Sequence, residues 1–317
     1  MPAKPPRLEP GDAIAVIAPA SAPPDPATID SSVCTLEHLG YKPRLAPNVR
    51  RRWGFLAGSD RERADDLMRM FADTQVKAVL CVRGGYGTAR LLPLLDFNVI
   101  RSNPKIFVGY SDITSLHCAF LLKAGLISFH GPMLNSDLVK PNLPAPTLRS
   151  LIRTLSERRA PGSICQGFSR HSVRVLSPGI ASGRLLGGNL TILCAALGTP
   201  YLPSFQGKIL FFEDVDEVPY RFDRLLTQLL NAGLLQQAAG IAIGMNARCR
   251  DPKARKSTEY RQTLEEVFAE RLLPLGIPVV LGLPFGHTRL NATLPIGCRA
   301  TLDAYKGDLI ITEPSVS

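Results

Sequence analysis

Short apolar runs alternate with amphipathic stretches along the first 135 residues, and each kind has its own period. Residues 14–17, 76–82, 106–108 and 126–129 are mostly apolar segments of strand length, interrupted only by Lys77 and Ser128, the pattern of strands covered on both faces. Between them, residues 26–39, 61–72, 87–95 and 113–124 predict helices. Ser59 and Asp60 give the capping signal for the second of these, which sets charges on one face and Leu67, Met70 and Phe71 on the other. The alternation predicts an N-terminal α/β domain over residues 1–135, built as a doubly wound parallel sheet.

The pattern then changes. Pro141, Pro144, Pro146, Pro161 and Pro178 punctuate residues 136–182, which predict a linker and domain entry with one exposed helix over 149–159. Residues 183–317 predict a second domain. It holds strands at 208–212, 240–245 and 279–283, helices at 221–232 and 258–273, and closing β segments at 300–302 and 308–312. The length of 317 residues fits two domains or one large one, because single cores stop growing near ~250–300 residues.

Composition removes several function classes. No stretch approaches the ~20 apolar residues of a membrane span. The apolar run at 13–20 is short and leads into a proline-rich loop, so it predicts a buried strand and no signal peptide. Seven cysteines are scattered without a CxxC pair, which predicts reduced thiols, a cytoplasmic setting and no zinc site. Net charge is +10, and nucleic acid is the first partner to consider for a basic chain. However, the basic residues are dispersed, densest at Arg50–Arg52, at Arg158 and Arg159, and over 248–261, with no aromatic–basic interleaving. A basic surface that favours acidic small substrates fits better than a nucleic-acid site.

Four segments carry candidate chemistry. In KIFVGYSDITSLH a strand runs through Gly109 to Ser111 just before a helix. That turn exposes a nucleophile at the carboxyl edge of a sheet, although Ile113 stands where a GxSxG elbow has its second glycine. The plain alternative is an N-cap serine. In VRGGYGTAR, Arg83, Gly84 and Gly85 follow a buried strand, as an oxyanion loop, a phosphate loop or a simple turn would. His130 and His287 both follow strands, and periodicity does not choose between them as a base. In FFEDVDEVPYR, Glu213 ends a strand and could orient an imidazole. The run Glu213, Asp214, Asp216 and Glu217 could instead bind a cation, or pair with Arg221 and Arg224.

Taken together, RGGYGTARLL, GYSDITSLH, HGPM, LLGGNLTILCAALGTPYLP, ILFFEDVDEVPYRFDRLLTQL and GHTRLNATLPIG resemble, in order, the signatures of the LD-carboxypeptidases, or muramoyltetrapeptide carboxypeptidases. FLAGSDRERADDL is similar to a further stretch of that family. The resemblance implies a triad of Ser111 as nucleophile, Glu213 as orienting carboxylate and His287 as base, in preference to His130. It implies an oxyanion hole from the N–H groups of Asp112 and Gly85. It also implies a flavodoxin-like N-terminal domain, a β-rich C-terminal α/β domain, a homodimer, and no cofactor or metal. The implied reaction releases terminal D-alanine from a muropeptide tetrapeptide during peptidoglycan recycling. A carboxypeptidase must also hold a free C-terminus. Arg83, or N–H groups of the loop at Gly84, would do so, unless Arg83 pairs with the acidic run and braces the domains. Two other readings stand beside this one. A related branch hydrolyses acyl-sulfamoyl-adenylate antibiotics and stacks a Trp from an inserted loop; here Trp53 lies outside any insertion. A non-catalytic protein holding phosphate on residues 83–87 is the other.

Overall fold

The computed structural model describes residues 1–250 and 262–317. The N-terminal part supplies β1 (Ala13–Ile17), α1 (Thr28–His38), β2 (Lys42–Leu45), α2 (Asp60–Ala72), β3 (Val76–Cys81), α3 (Phe97–Ser102), β4 (Ile106–Gly109), α4 (Thr114–Ala119) and β5 (Ser128–His130). The chain continues through α5 (Ala145–Ser156), β6 (Gly162–Ser163), β7 (Arg174–Ser177), β8 (Ile180–Asn189), α6 (Leu190–Ala195) and β9 (Lys208–Glu213). Then come α7 (Pro219–Asn231), β10 (Gly240–Gly244), α8 (Leu264–Leu272), β11 (Val279–Leu283), β12 (Leu294–Ile296), β13 (Arg299–Asp303) and β14 (Asp308–Ile311).

The first sheet runs β2-β1-β3-β4-β5 with all neighbours parallel, the flavodoxin-like order. β12 joins its far edge, antiparallel to β5. The second sheet is mixed, in the order β6-β14-β13-β8-β9-β10-β11-β7. Its centre, β8 to β11, is parallel, and its flanks are antiparallel. The α/β class and the β-rich second part are as the sequence implies.

Burial explains which strands were visible. Ile14 to Ile17 and Val79 to Cys81 are all buried, so their sequence is apolar without alternation. β9 shows the period of two. Ile209 and Phe211 enter the core shared with the first sheet, while Leu210 and Phe212 face a second cluster with Phe222, Leu226 and Phe268. The cap of α2 is a full capping box: Ser59 Oγ accepts from Glu62 N at 3.2 Å and Glu62 Oε2 accepts from Ser59 N at 2.8 Å.

Three helices differ from expectation. Residues 87–95 form a 3₁₀ segment, Thr88–Leu94, with Pro93 inside it; proline has no N–H for a longer α-helix to use. The stretch 113–124 is divided into a 3₁₀ turn at Ser111–Ile113, then α4, then a π turn at Phe120–Ala124. The helix read as exposed over 149–159 is α5, which starts earlier and buries Thr147, Ser150, Leu151, Thr154 and Leu155. Its hydroxyls are buried because they satisfy another segment's backbone. Thr147 Oγ1 donates to Arg289 O and accepts from Asn291 N, and Ser150 Oγ accepts from Thr293 N. The basic stretch at 248–261 and the start of the helix predicted over 258–273 lie partly outside the described residues.

Candidate active site

Ser111 stands just past the end of β4 and opens the turn into α4. Its φ is +67°, in the left-handed region, which costs an L-residue ~1–3 kcal/mol and persists only where the surroundings impose it. His117 supplies part of that support. Its Nε2 lies 2.8 Å from Gly109 O and its Nδ1 2.8 Å from Ser128 Oγ. A carbonyl only accepts, so Nε2 carries the proton and Nδ1 accepts from the serine. Burial lowers the His117 pKa to about 4, so the ring stays neutral and points away from Ser111, as its helical spacing predicts.

The glycine loop lies against this elbow. A Cβ on Gly84 would sit 3.0 Å from Ser111 Cβ, and one on Gly85, at φ +114°, would sit 2.5 Å from Ser21 Oγ. Gly85 therefore needs glycine, and at Gly84 a side chain would press on the elbow. The loop is tied at its far end. Buried Arg63 donates to Pro19 O at 2.5 Å and Gly87 O at 3.0 Å. Thr88 N donates to Asp112 Oδ2 at 2.9 Å, and Thr88 Oγ1 to Asp112 O at 2.5 Å. Among the described residues Gly85 N–H donates no hydrogen bond, and Asp112 sits in a first helical turn, where N–H groups lack intrahelical partners.

Glu213 is the last residue of β9 and is fully buried. Its Oε2 accepts from His287 Nδ1 at 2.6 Å and from His287 N at 3.1 Å. Two donations from one residue fix the carboxylate against the ring and leave Nε2 as the basic nitrogen. Burial pulls the His287 pKa down, but the Glu213 hydrogen bond and the charges of Glu213, Asp214 and Asp137 outweigh it, and the pKa ends above the ordinary value. The structure has no hydrogen bond between Ser111 Oγ and His287, a contact that often tightens only with substrate bound. The other acids of the run diverge. Asp214 accepts from Asn189 Nδ2 and Thr191, Asp216 pairs with Arg248, and Glu217 pairs with Arg221 at 3.2 Å. Four acids that each turn to different partners do not make a cation cage. Among the described residues no group of His, Cys, Asp and Glu is placed to hold a metal. His130 lies between the rings of Tyr110, Phe211 and Phe285 with neither nitrogen bonded.

Residues 14–131 match the LD-carboxypeptidase N-terminal domain, and residues 182–302 the LD-carboxypeptidase C-terminal domain. The chain belongs to the LD-carboxypeptidase family. It is thus a serine-type carboxypeptidase. It is 41% identical over 308 residues to a Bacillus subtilis protein named "Probable murein peptide carboxypeptidase", covering 97% of this chain and 94% of that one. The crystal structure of muramoyltetrapeptide carboxypeptidase from Oxalobacter formigenes superposes with a TM-score of 0.82 at 34% identity, over 95% of this chain and 99% of that chain. The microcin C7 self-immunity protein, known from Escherichia coli, superposes with a TM-score of 0.87 at 26% identity over 100% of both chains.

In this LD-carboxypeptidase, His287 opens onto a cleft of roughly 530 Å³ whose walls include Arg83, Tyr110, Asp137, Lys140 and Arg289. Arg83 reaches Ala22 O at 3.4 Å and has no carboxylate partner among the described residues. The bracing of the acidic run by Arg83 is therefore not found; Arg221 and Arg248 occupy that place, because they follow the run directly in space. Sequence reasoning missed Tyr110 and Asp137. The Tyr110 ring stands edge-on to His287, with centroids 4.9 Å apart. Asp137 Oδ2 accepts from Met133 N at 2.9 Å, and burial lifts its pKa to about 6. An aspartate in a proline-rich stretch reads as solvated, so only the spatial neighbours reveal it. Among the described residues no helix is long and apolar enough to cross a membrane.

Proposed function

We propose that the chain hydrolyses the peptide bond before a terminal D-alanine in a muropeptide tetrapeptide, with Ser111 as nucleophile, His287 as base and Glu213 as the carboxylate that orients it. The observation that carries this reading is the strained Ser111 elbow of one sheet, whose neighbour Tyr110 meets the His287 ring of a buried Glu213–His287 pair from the other. His287 Nε2 takes the Ser111 proton, and Ser111 Oγ attacks the scissile carbonyl. Developing negative charge falls on the N–H groups of Asp112 and Gly85. His287 then protonates the leaving amine, and water cleaves the acyl-enzyme by the same path in reverse. Arg83 is the proposed partner of the substrate's free carboxylate, with the Gly84 N–H beside it. Its guanidinium is not committed to an acid, and a carboxylate entering a closed site needs a cation.

The domain division near residues 136–182, the homodimer and the cytoplasmic setting belong to the same proposal. The cysteines are unbonded thiols, Cys34 exposed and the other six buried, which fits a reducing compartment. The test is mass spectrometry of a tetrapeptide incubated with the protein, where loss of one D-alanine supports the reading. Labelling of Ser111 by a fluorophosphonate separates an enzyme from a phosphate-binding protein. The likeness to the microcin C7 self-immunity protein favours a second reading, hydrolysis of an aminoacyl sulfamoyl adenosine. An enzyme that cleaves that compound and leaves the tetrapeptide intact sinks the first reading.

A further inference from the structure

Tyr110 and Asp137 are buried ionisable groups of the cleft that the hydrolytic scheme leaves unused. Tyr110 immediately precedes Ser111. Its ring meets the His287 imidazole at 4.9 Å between centroids with planes 65° apart, and on another side it meets His130 at 5.8 Å. Its hydroxyl lies 3.5 Å from Asp137 Oδ1. Asp137 is held through Oδ2 by Met133 N within the π turn Leu134–Leu138. The imidazole thus has two carboxylates near it, Glu213 in contact at Nδ1 and Asp137 beyond the Tyr110 ring.

We infer that Asp137 is a positioning residue: through Tyr110 it fixes the plane of the His287 imidazole, and its charge favours the imidazolium formed when His287 takes the Ser111 proton. The inference rests on the triad proposed above. Asp137 has no ion-pair partner among the described residues. A carboxylate so enclosed is costly to keep without one, and that cost points to a role other than stability. The remaining charges facing His287 are accounted for. Glu213 and Asp214 at the end of β9 favour the imidazolium, and His130 is held neutral by burial. Asp216 is engaged by Arg248. Asp25 lines the cleft on the favouring side, while Arg83, Lys140, Arg248 and Arg289 line it and oppose the imidazolium. Burial places the Asp137 pKa at about 6, so its charge is present at neutral pH and lost in mild acid.

The test uses the full chain, Asp137→Asn and Tyr110→Phe. The readouts are an NMR titration of the His287 imidazole and the pH dependence of kcat/KM on a tetrapeptide ending in D-alanine. Asp137→Asn should lower the His287 pKa, and with it the acidic limb, by about half a unit or more, and reduce kcat more than it raises KM. Tyr110→Phe keeps the charge, so the limb should stay while kcat falls. A folded Asp137→Asn protein with an unmoved His287 titration overturns the inference. So does a loss confined to KM for peptides bearing an ammonium group, which would place Asp137 on the substrate. Should neither variant fold, the wild-type protein still decides: the Asp137 carboxyl and His287 must titrate as a coupled pair, and independent titrations refute the proposal. If the wild type releases no D-alanine, the substrate reading fails, while the titration continues to judge Asp137.

Discussion

Replacing Gly84 by alanine tests how closely the proposed nucleophile, Ser111, is held against the glycine loop. The added Cβ would lie 3.0 Å from Ser111 Cβ, 3.2 Å from Ser111 Oγ and 3.2 Å from Tyr110 O. Non-bonded carbons rest ~3.5–4.0 Å apart, so loop and elbow must separate by about 0.5 Å. Gly84 has no left-handed φ, so its own backbone accepts alanine without strain. The elbow yields poorly, because His117 holds Gly109 O and Thr88 holds Asp112. The displacement therefore enters the distance between Ser111 Oγ and the Gly85 N–H. A misplacement of ~1 Å in such a site costs roughly 100-fold. Half of that predicts a kcat loss of about 10- to 100-fold, or ~1.4–2.7 kcal/mol of transition-state stabilisation. The assay is steady-state D-alanine release with thermal unfolding measured alongside. We expect KM to change less than about threefold and the unfolding midpoint to stay near that of the wild type. A Gly84→Ala enzyme with full kcat would refute the claim that loop and elbow form one rigid frame.

Ser111→Ala, Glu213→Ala and His287→Ala should each remove most turnover, and the double variants should lose little more, because the proposed triad acts as a unit. Near-normal turnover in His287→Ala with loss in His130→Ala would reverse the assignment of the base. The kcat/KM of the wild type should fall as pH drops through an apparent pKa above 6.5, since His287 acts as a base only when neutral and its pKa is raised. Glu213→Gln removes the largest upward contribution, so that limb should move to lower pH, and a limb that stays in place counts against the pairing. Arg83→Ala should impair tetrapeptide cleavage heavily and a small activated ester hardly at all. Equal loss on both would mean that Arg83 supports the fold rather than the carboxylate.

How far the sequence could be read depended on whether a residue's neighbours lie along the chain or across it. The strands β1, β3 and β4 were legible because burial on both faces keeps them apolar, with Lys77 the one charged position among them. Ser59 was legible because its partner, Glu62, is three residues away. β2 was not: its sequence, KPRL, sits at the sheet edge with no fully buried position, so no periodicity marks it. The helix over 149–159 reads as exposed from its sequence, while α5 starts earlier and buries Thr147 and Ser150, which only the distant segment at 289–293 makes interior. The same limit governed the site. Ser111 was visible from a local strand–turn–helix pattern. His130 and His287 follow strands in equivalent ways, and what separates them is spatial: Glu213 bonds one, and aromatic rings enclose the other. Asp137 gave no sign because its significance depends on Tyr110, 27 residues earlier.

The proposed nucleophile and its proposed base come from different sheets, so their distance is set by what joins the sheets. Two sets of contacts do this, and they run in opposite directions along the chain. From the first sheet, Thr114 in the elbow helix accepts from Asn189 N at 3.0 Å, and Asn189 Nδ2 donates to Asp214 Oδ1 at 2.8 Å. Asp214 is the residue after Glu213, so three linked groups fix the elbow relative to the acid. From the second sheet, the segment beyond His287 crosses back as β12 and pairs with β5, next to β4 and its Ser111 turn. Thr147 and Ser150 of α5 hold the backbone of that crossing. The acid is thereby referenced to the elbow through hydrogen bonds, and the base through a strand in the elbow's own sheet. A rotation of one sheet against the other would break both sets together. That argues that the spacing of Ser111, Glu213 and His287 is a property of the joined sheets, and that neither half of the chain would hold it alone.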